Sequence, residues 1–108
     1  MYKFDYRSAR FPTDLPVTFN GSHGQVYGTC TQISRDGMEV YLADGQRFEV
    51  RGRIAVSHKQ VAIELEVHVA HASENRCGVK FLYRTEREKI AMDRLIAGLS
   101  DLREASSV

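Results

Sequence analysis

The chain has almost no net charge: 15 Lys and Arg stand against 14 Asp and Glu, leaving +1 over 108 residues. That balance argues against bulk DNA or RNA binding, which draws on a strongly basic face. Cysteine is scarce too. Cys30 and Cys77 lie in separate strand-like stretches and form no metal-spaced cluster, so both read as buried free thiols. No apolar run approaches the ~20 residues that cross a bilayer, and membrane insertion is not expected. The N-terminus is polar and shows no apolar central region of the kind a signal peptide carries. A reducing cytoplasm is the expected compartment. There is no internal repeat and no low-complexity linker. What remains is a globular balance, 43% hydrophobic and 27% charged, at the length of one domain.

Most of the chain reads as strands. Val61, Ile63, Leu65, Val67 and Val69 alternate with mostly polar neighbours, which is the period of a strand with one buried face. Leu15, Val17 and Phe19 alternate likewise before Asn20-Gly21, a turn signal. Met38, Val40 and Leu42 form another inward set, ended by Asp44-Gly45. Phe48, Val50, Ile54 and Val56 continue the pattern, with Gly52 at an expected bulge or bend. Val79 and Phe81 point inward on a last strand beginning near Arg76. Many short antiparallel strands between Gly and Asp turns point to a barrel or a sandwich.

A helix follows. Thr85-Glu86-Arg87-Glu88 fits a capping box, in which hydroxyl and carboxylate each accept from a free backbone amide. Met92, Leu95, Ile96, Leu99 and Leu102 then share one stripe. Such a helix packs on the barrel or plugs its open end; the rival use is a dimer or partner contact. The expected organisation is a single domain: an N-terminal arm over 1–13, strands over 14–84, the helix over 85–103 and a tail over 104–108.

Two segments carry the candidate chemistry. Arg7-Ser8-Ala9-Arg10 is a cationic stretch leading into the first strand. Gln32-Ile33-Ser34-Arg35-Asp36-Gly37 is a polar turn leaving the second. If folding joins them, they make a positively charged pocket with small hydrogen-bonding groups at its floor. Such a pocket suits a compact phosphate-bearing ligand.

The order of these features resembles the PilZ domain family over nearly the whole chain. The Arg segment, a strand opening Leu15-Pro16-Val17, the Ser34–Gly37 turn, and Cys77-Gly78-Val79-Lys80-Phe81 before a terminal helix carry the likeness. PilZ domains are small six-stranded antiparallel β-barrels that commonly bind the bacterial second messenger cyclic di-GMP. The resemblance therefore implies a mainly β barrel of that kind with a C-terminal helix. The family's first motif places Arg, three residues, then Arg, with a further Arg after the first. Arg10 matches the second position and Arg7 the extra one, while Tyr6 stands where the first Arg would be. The second motif is Asp or Asn, one residue, Ser, two residues, Gly. Ser34 and Gly37 match it, and Gln32 replaces the leading residue.

The implied ligand contacts are thus Tyr6, Arg7, Arg10, Gln32, Ser34 and Gly37. Each arginine offers a planar fork of donors for guanine or phosphate. Tyr6 offers a ring for stacking. Gln32 has a single acceptor oxygen where a carboxylate has two. Ser34 offers a short hydroxyl, and Gly37 permits a positive-φ turn with room for ligand.

Other candidates are weaker. His68 and His71 fall on opposite sides of a regular strand and cannot readily share a metal. His23 and His58 lie in turn-like segments, and Glu64 with Glu66 reads as a solvated face. No base is placed beside Cys77, so no catalytic residue, cofactor or metal site is assigned. The expected function is a stand-alone receptor that binds cyclic di-GMP and relays it to a protein effector, as monomer or dimer. The alternative is a degenerate adaptor that works by protein contacts without a nucleotide.

Overall fold

The structure is a computed structural model that describes residues 10–107, with side chains through Leu99. Six strands follow one another: β1 Phe11–Gly21, β2 Gly24–Ile33, β3 Gly37–Leu42, β4 Arg51–His58, β5 Val61–Ala72 and β6 Arg76–Leu82. One helix, α1, spans Glu86–Ser107. All neighbouring strands are antiparallel, and the order β1-β2-β3-β6-β5-β4 closes on itself as a barrel. Closure pairs every strand on both sides and removes exposed sheet edges.

The interior is set by strand periodicity. Val17 and Phe19 of β1, Met38, Val40 and Leu42 of β3, and Ile54 and Val56 of β4 are buried. Ile63, Leu65 and Val67 of β5 are buried as the alternation predicts, with Val61 and Val69 packed at the margin. Cys30 and Cys77 join this core as free thiols. Burial pushes Cys30 up to about 12 and Cys77 up to about 11. Both therefore stay protonated at neutral pH and are inert as nucleophiles.

Glu86–Ser107 begins where the capping box places it. The Glu88 amide donates to Thr85 Oγ1 at 3.2 Å, while the Glu88 carboxylate accepts from the Arg84 amide at 2.7 Å. The reciprocal bond thus falls one residue earlier than in the standard box. Met92, Leu95, Ile96 and Leu99 are buried against the barrel, chiefly over β5 with contacts to β1 and β4. The stripe is used within the chain. Leu102 lies beyond the described side chains. The helix continues past Arg103 because no Gly or Pro follows Gly98 to break it.

Four local readings are corrected. Asn20-Gly21 remains in β1, and the turn is Ser22-His23, followed by Gly24 at φ 118°. Gly21 instead leaves room for the Glu49 carboxylate, which sits where a Cβ would be. Gly52 makes no bulge: it pairs in unbroken register with Val67, and the Phe19 ring lies where its Cβ would be. That ring stacks on Phe48 at 4.3 Å, so Phe19 is held between an aromatic face and bare backbone. Val50 is 66% exposed, since the chain between β3 and β4 is an irregular loop rather than a strand. His58 ends β4 and packs beneath the helix, where a Cβ on Gly98 would stand 3.4 Å from its ring.

Candidate ligand-binding hollow

Three strand junctions slip by one residue, and each slip re-aims a side chain. In β2, Cys30 pairs with Val40 and Gln32 with Glu39, so Thr31 is the extra residue. Without that bulge, Gln32 would share the inward face of Cys30. With it, Gln32 turns outward and Ile33 enters the core at 1% exposure. In β5, Val69 pairs with Val79 and His71 with Gly78, leaving Ala70 extra. In β1, the slip lies between Pro12 and Leu15, opposite Thr31.

The result is an aligned outer row. Gln32, Glu39, Gly78 and His71 are successive partners across β2, β3, β6 and β5. The His71 ring leans over Gly78, into space a side chain there would fill. A second row beside it runs Gly37, Lys80, His68. His68 and His71 therefore share the outer face, contrary to the expectation for a regular strand. Among the described residues no group of three potential metal ligands converges.

These rows border a hollow of about 310 Å³. Arg10, Gln32, Ser34 and Gly37 all line it, so the structure brings Arg10 of the first segment to the second. Arg10 stands one residue before the Phe11–Ile33 pair, which brings Arg10 beside the turn. Tyr6 and Arg7 lie outside the described residues. Glu39, His71 and Lys80 also line the hollow; none of them is a ligand-binding candidate in the sequence, where His71 stands only as one half of the weak His68–His71 pair. Among the described lining residues, the cations Arg10 and Lys80 are matched by the carboxylates of Asp36 and Glu39. The described wall is of mixed charge, not uniformly positive.

The turn that forms one wall is tied down on every side. The Ser34 amide donates to the Gly37 carbonyl at 2.9 Å. Ser34 Oγ accepts from the Asp36 and Gly37 amides at 3.2 and 3.3 Å. Ser34 is 9% exposed, so its hydroxyl serves the turn first. The Phe81 amide donates to the Asp36 carbonyl at 2.9 Å, and Tyr83 Oη donates to the Arg35 carbonyl at 2.6 Å. Burial holds the Tyr83 phenol protonated well above its usual range, aided by the nearby Asp93 carboxylate. Arg35 pairs with Asp93 of α1 at 2.9 Å.

Gly37 is needed for a reason other than the one expected. Its φ is not positive; Gly24 and Gly45 are the glycines that take that conformation among the described residues. Instead the Val79 carbonyl oxygen occupies the position a Cβ would take. Gly37 therefore lets β3 press against β6 at the mouth of the hollow.

The sequence matches the PilZ domain family over residues 5–98, and the chain belongs to that family. The fold agrees. The PilZ domain of YcgR from Escherichia coli, solved with cyclic di-GMP, superposes with a TM-score of 0.79 at 16% identity, covering 94% of this chain and 96% of that one. The PilZ domain of CeSA from a cellulose-synthesizing bacterium gives 0.71 at 18% identity, covering 86% and 99%. The inhibitor of motility MotI/DgrA from Bacillus subtilis gives 0.67 at 18% identity, covering 88% of this chain and 51% of that one. No curated protein matches the sequence significantly.

Proposed function

We propose that this chain is a PilZ-type receptor that binds cyclic di-GMP between its N-terminal arm and the hollow, and relays binding to a protein partner in the cytoplasm. One observation carries the reading. Arg10 from one family motif and Gln32, Ser34 and Gly37 from the other line a single hollow of nucleotide-compatible size. Arg10 supplies a planar fork of donors for a phosphate or a guanine edge. Arg7 adds a second fork from the arm, and Tyr6 a stacking ring. Ser34 and Gly37 contribute by shaping the wall rather than by free hydrogen-bonding groups. The role is binding, not catalysis. The YcgR PilZ domain, which shares this fold, binds the same ligand, and this supports the assignment.

The rival reading is an adaptor that binds no nucleotide. The mixed charge of the described wall and the replacement of the motif's Asp or Asn by Gln32 favour it. Calorimetric titration with cyclic di-GMP, with GMP as control, separates the two. Saturable binding of the cyclic dinucleotide alone establishes the receptor. A flat trace at high ligand concentration leaves the adaptor.

A further inference from the structure

We propose that Glu39, not Gln32, supplies the carboxylate that reads the guanine edge of the ligand; this rests on the cyclic di-GMP reading above. The Watson–Crick edge of guanine presents two adjacent donors, N1–H and N2–H. A carboxylate accepts both with its two oxygens, whereas an amide side chain has one acceptor oxygen and a donor group beside it. Gln32 can therefore accept from only one of the two donors.

Glu39 is placed to serve instead. It is the direct cross-strand partner of Gln32, and such pairs bring their Cβ atoms to roughly 4.5–5.5 Å on the same face. The alignment depends on the extra residue Thr31, without which Glu39 would not stand opposite Gln32. Both side chains line the hollow. On the other flank of Glu39 is Gly78, over which the His71 ring leans. Among the described residues, no donor pairs with the Glu39 carboxylate. Its charge is felt locally, since it helps to raise the neighbouring Cys77 thiol after burial itself. Arg10 and Lys80 remain on the hollow wall for the ligand's phosphates. Asp36 also lines the hollow, but it sits on the turn, outside the row that contains Gln32 and Glu39.

The geometry carries a specificity. Adenine presents an acceptor at N1, which a carboxylate opposes. Hypoxanthine keeps N1–H but lacks the N2 amine, so it loses one of the two bonds. The experiment titrates the parent chain, Glu39→Gln, Gln32→Ala and Asp36→Asn with cyclic di-GMP and with cyclic di-IMP, and records the melting temperature of each. The parent is expected to prefer cyclic di-GMP. Glu39→Gln should lose about tenfold or more in cyclic di-GMP affinity, one decade being about 1.4 kcal/mol. It should also bind the two ligands nearly alike, a loss of discrimination that a merely structural role would not produce. Gln32→Ala and Asp36→Asn should keep most of the parent's preference.

A Glu39→Gln chain with parental affinity and preference overturns the assignment. So does loss of discrimination in Asp36→Asn or Gln32→Ala with Glu39→Gln unchanged. In both cases the receptor reading survives, because the parent still binds. A parent that binds neither ligand overturns the receptor reading and this assignment together.

Discussion

Two turns of this barrel are each fixed by one polar side chain, and the side chains come from different places. In the β2–β3 turn, Ser34 is part of the turn, is buried, and accepts from the Asp36 and Gly37 amides. In the β1–β2 turn, Glu49 reaches in from the loop after β3, 26 residues from His23. Its carboxylate accepts from the Ser22 hydroxyl at 2.7 Å and from the His23 amide at 2.9 Å. The first turn is further braced by Phe81, Tyr83 and the Arg35–Asp93 pair, and it walls the hollow. The second is held by an ionised group at the surface. At the centre of one turn is a neutral hydroxyl; at the centre of the other is a carboxylate that acid can protonate.

The largest effect should come from the glycine of the braced turn. Gly37→Ala would drive a Cβ into the Val79 carbonyl, which is backbone and cannot swing aside. We expect a loss of about 3 kcal/mol in denaturant unfolding, at the upper end of overpacking penalties. Gly24→Ala at the other turn has nothing within 4 Å of the added Cβ and suffers only from its φ of 118°, at about 1 kcal/mol. Equal losses at the two glycines would erase the distinction drawn between the turns.

Arg10 tests the hollow without touching either turn. Its side chain is exposed beside the wall. Arg10→Ala should weaken cyclic di-GMP binding by about 1.5–3 kcal/mol, the range for a charged hydrogen bond. The melting temperature should stay near the parent's, because an exposed side chain contributes little to folding. Unchanged affinity would remove Arg10 from the site; a large drop in melting temperature would make it structural.

What was legible in the sequence divides along the same line. Regular alternation in Val61–Val69 and Met38–Leu42 exposes its buried face directly, because a strand has a strict period of two. The same alternation places Glu39 and Lys80 outside, but it is silent on which strands lie side by side. Their meeting at one hollow follows from β3 pairing with β6, a long-range choice with no local mark. His71 was misplaced for a sharper reason. A single extra residue, Ala70, inverts the face of everything after it, and nothing in Val69-Ala70-His71 announces the bulge. The motif residues Arg10, Gln32, Ser34 and Gly37 were found as a group by family likeness. The physical role of Gly37 could not be read, since the atom it avoids belongs to Val79, far along the chain.

Ser34→Ala comes next in size. It removes the acceptor for two part-buried turn amides and should cost about 1 kcal/mol, the net contribution of a typical hydrogen bond. The loss should be the same at pH 4 and pH 7, because no ionisable group is involved. Ligand affinity should fall with it, through a loosened wall. A stability loss that varies steeply with pH would contradict the role assigned to this hydroxyl.

The smallest and most selective effect belongs to Glu49. The His23 amide, followed by the Ser22 hydroxyl, holds its carboxyl down from 4.5 to about 2. In the unfolded chain the same group takes up its proton near 4.5. Between these values the unfolded state binds more protons than the folded one, so acidification favours unfolding. The contribution of Glu49 is therefore complete above about pH 4.5 and is lost as pH falls toward about 2. Glu49→Gln keeps the shape of the side chain and removes its charge. The melting-temperature gap between parent and variant should be present above pH 5 and should close progressively as pH falls below it. Added salt should narrow the gap at neutral pH, as it does for charges near the surface. Ligand affinity at neutral pH should be unaffected, since Glu49 is not among the residues lining the hollow. A gap that persists at pH 2 would show that Glu49 holds the hairpin by shape rather than charge, and the two turns would then be fixed by the same physics.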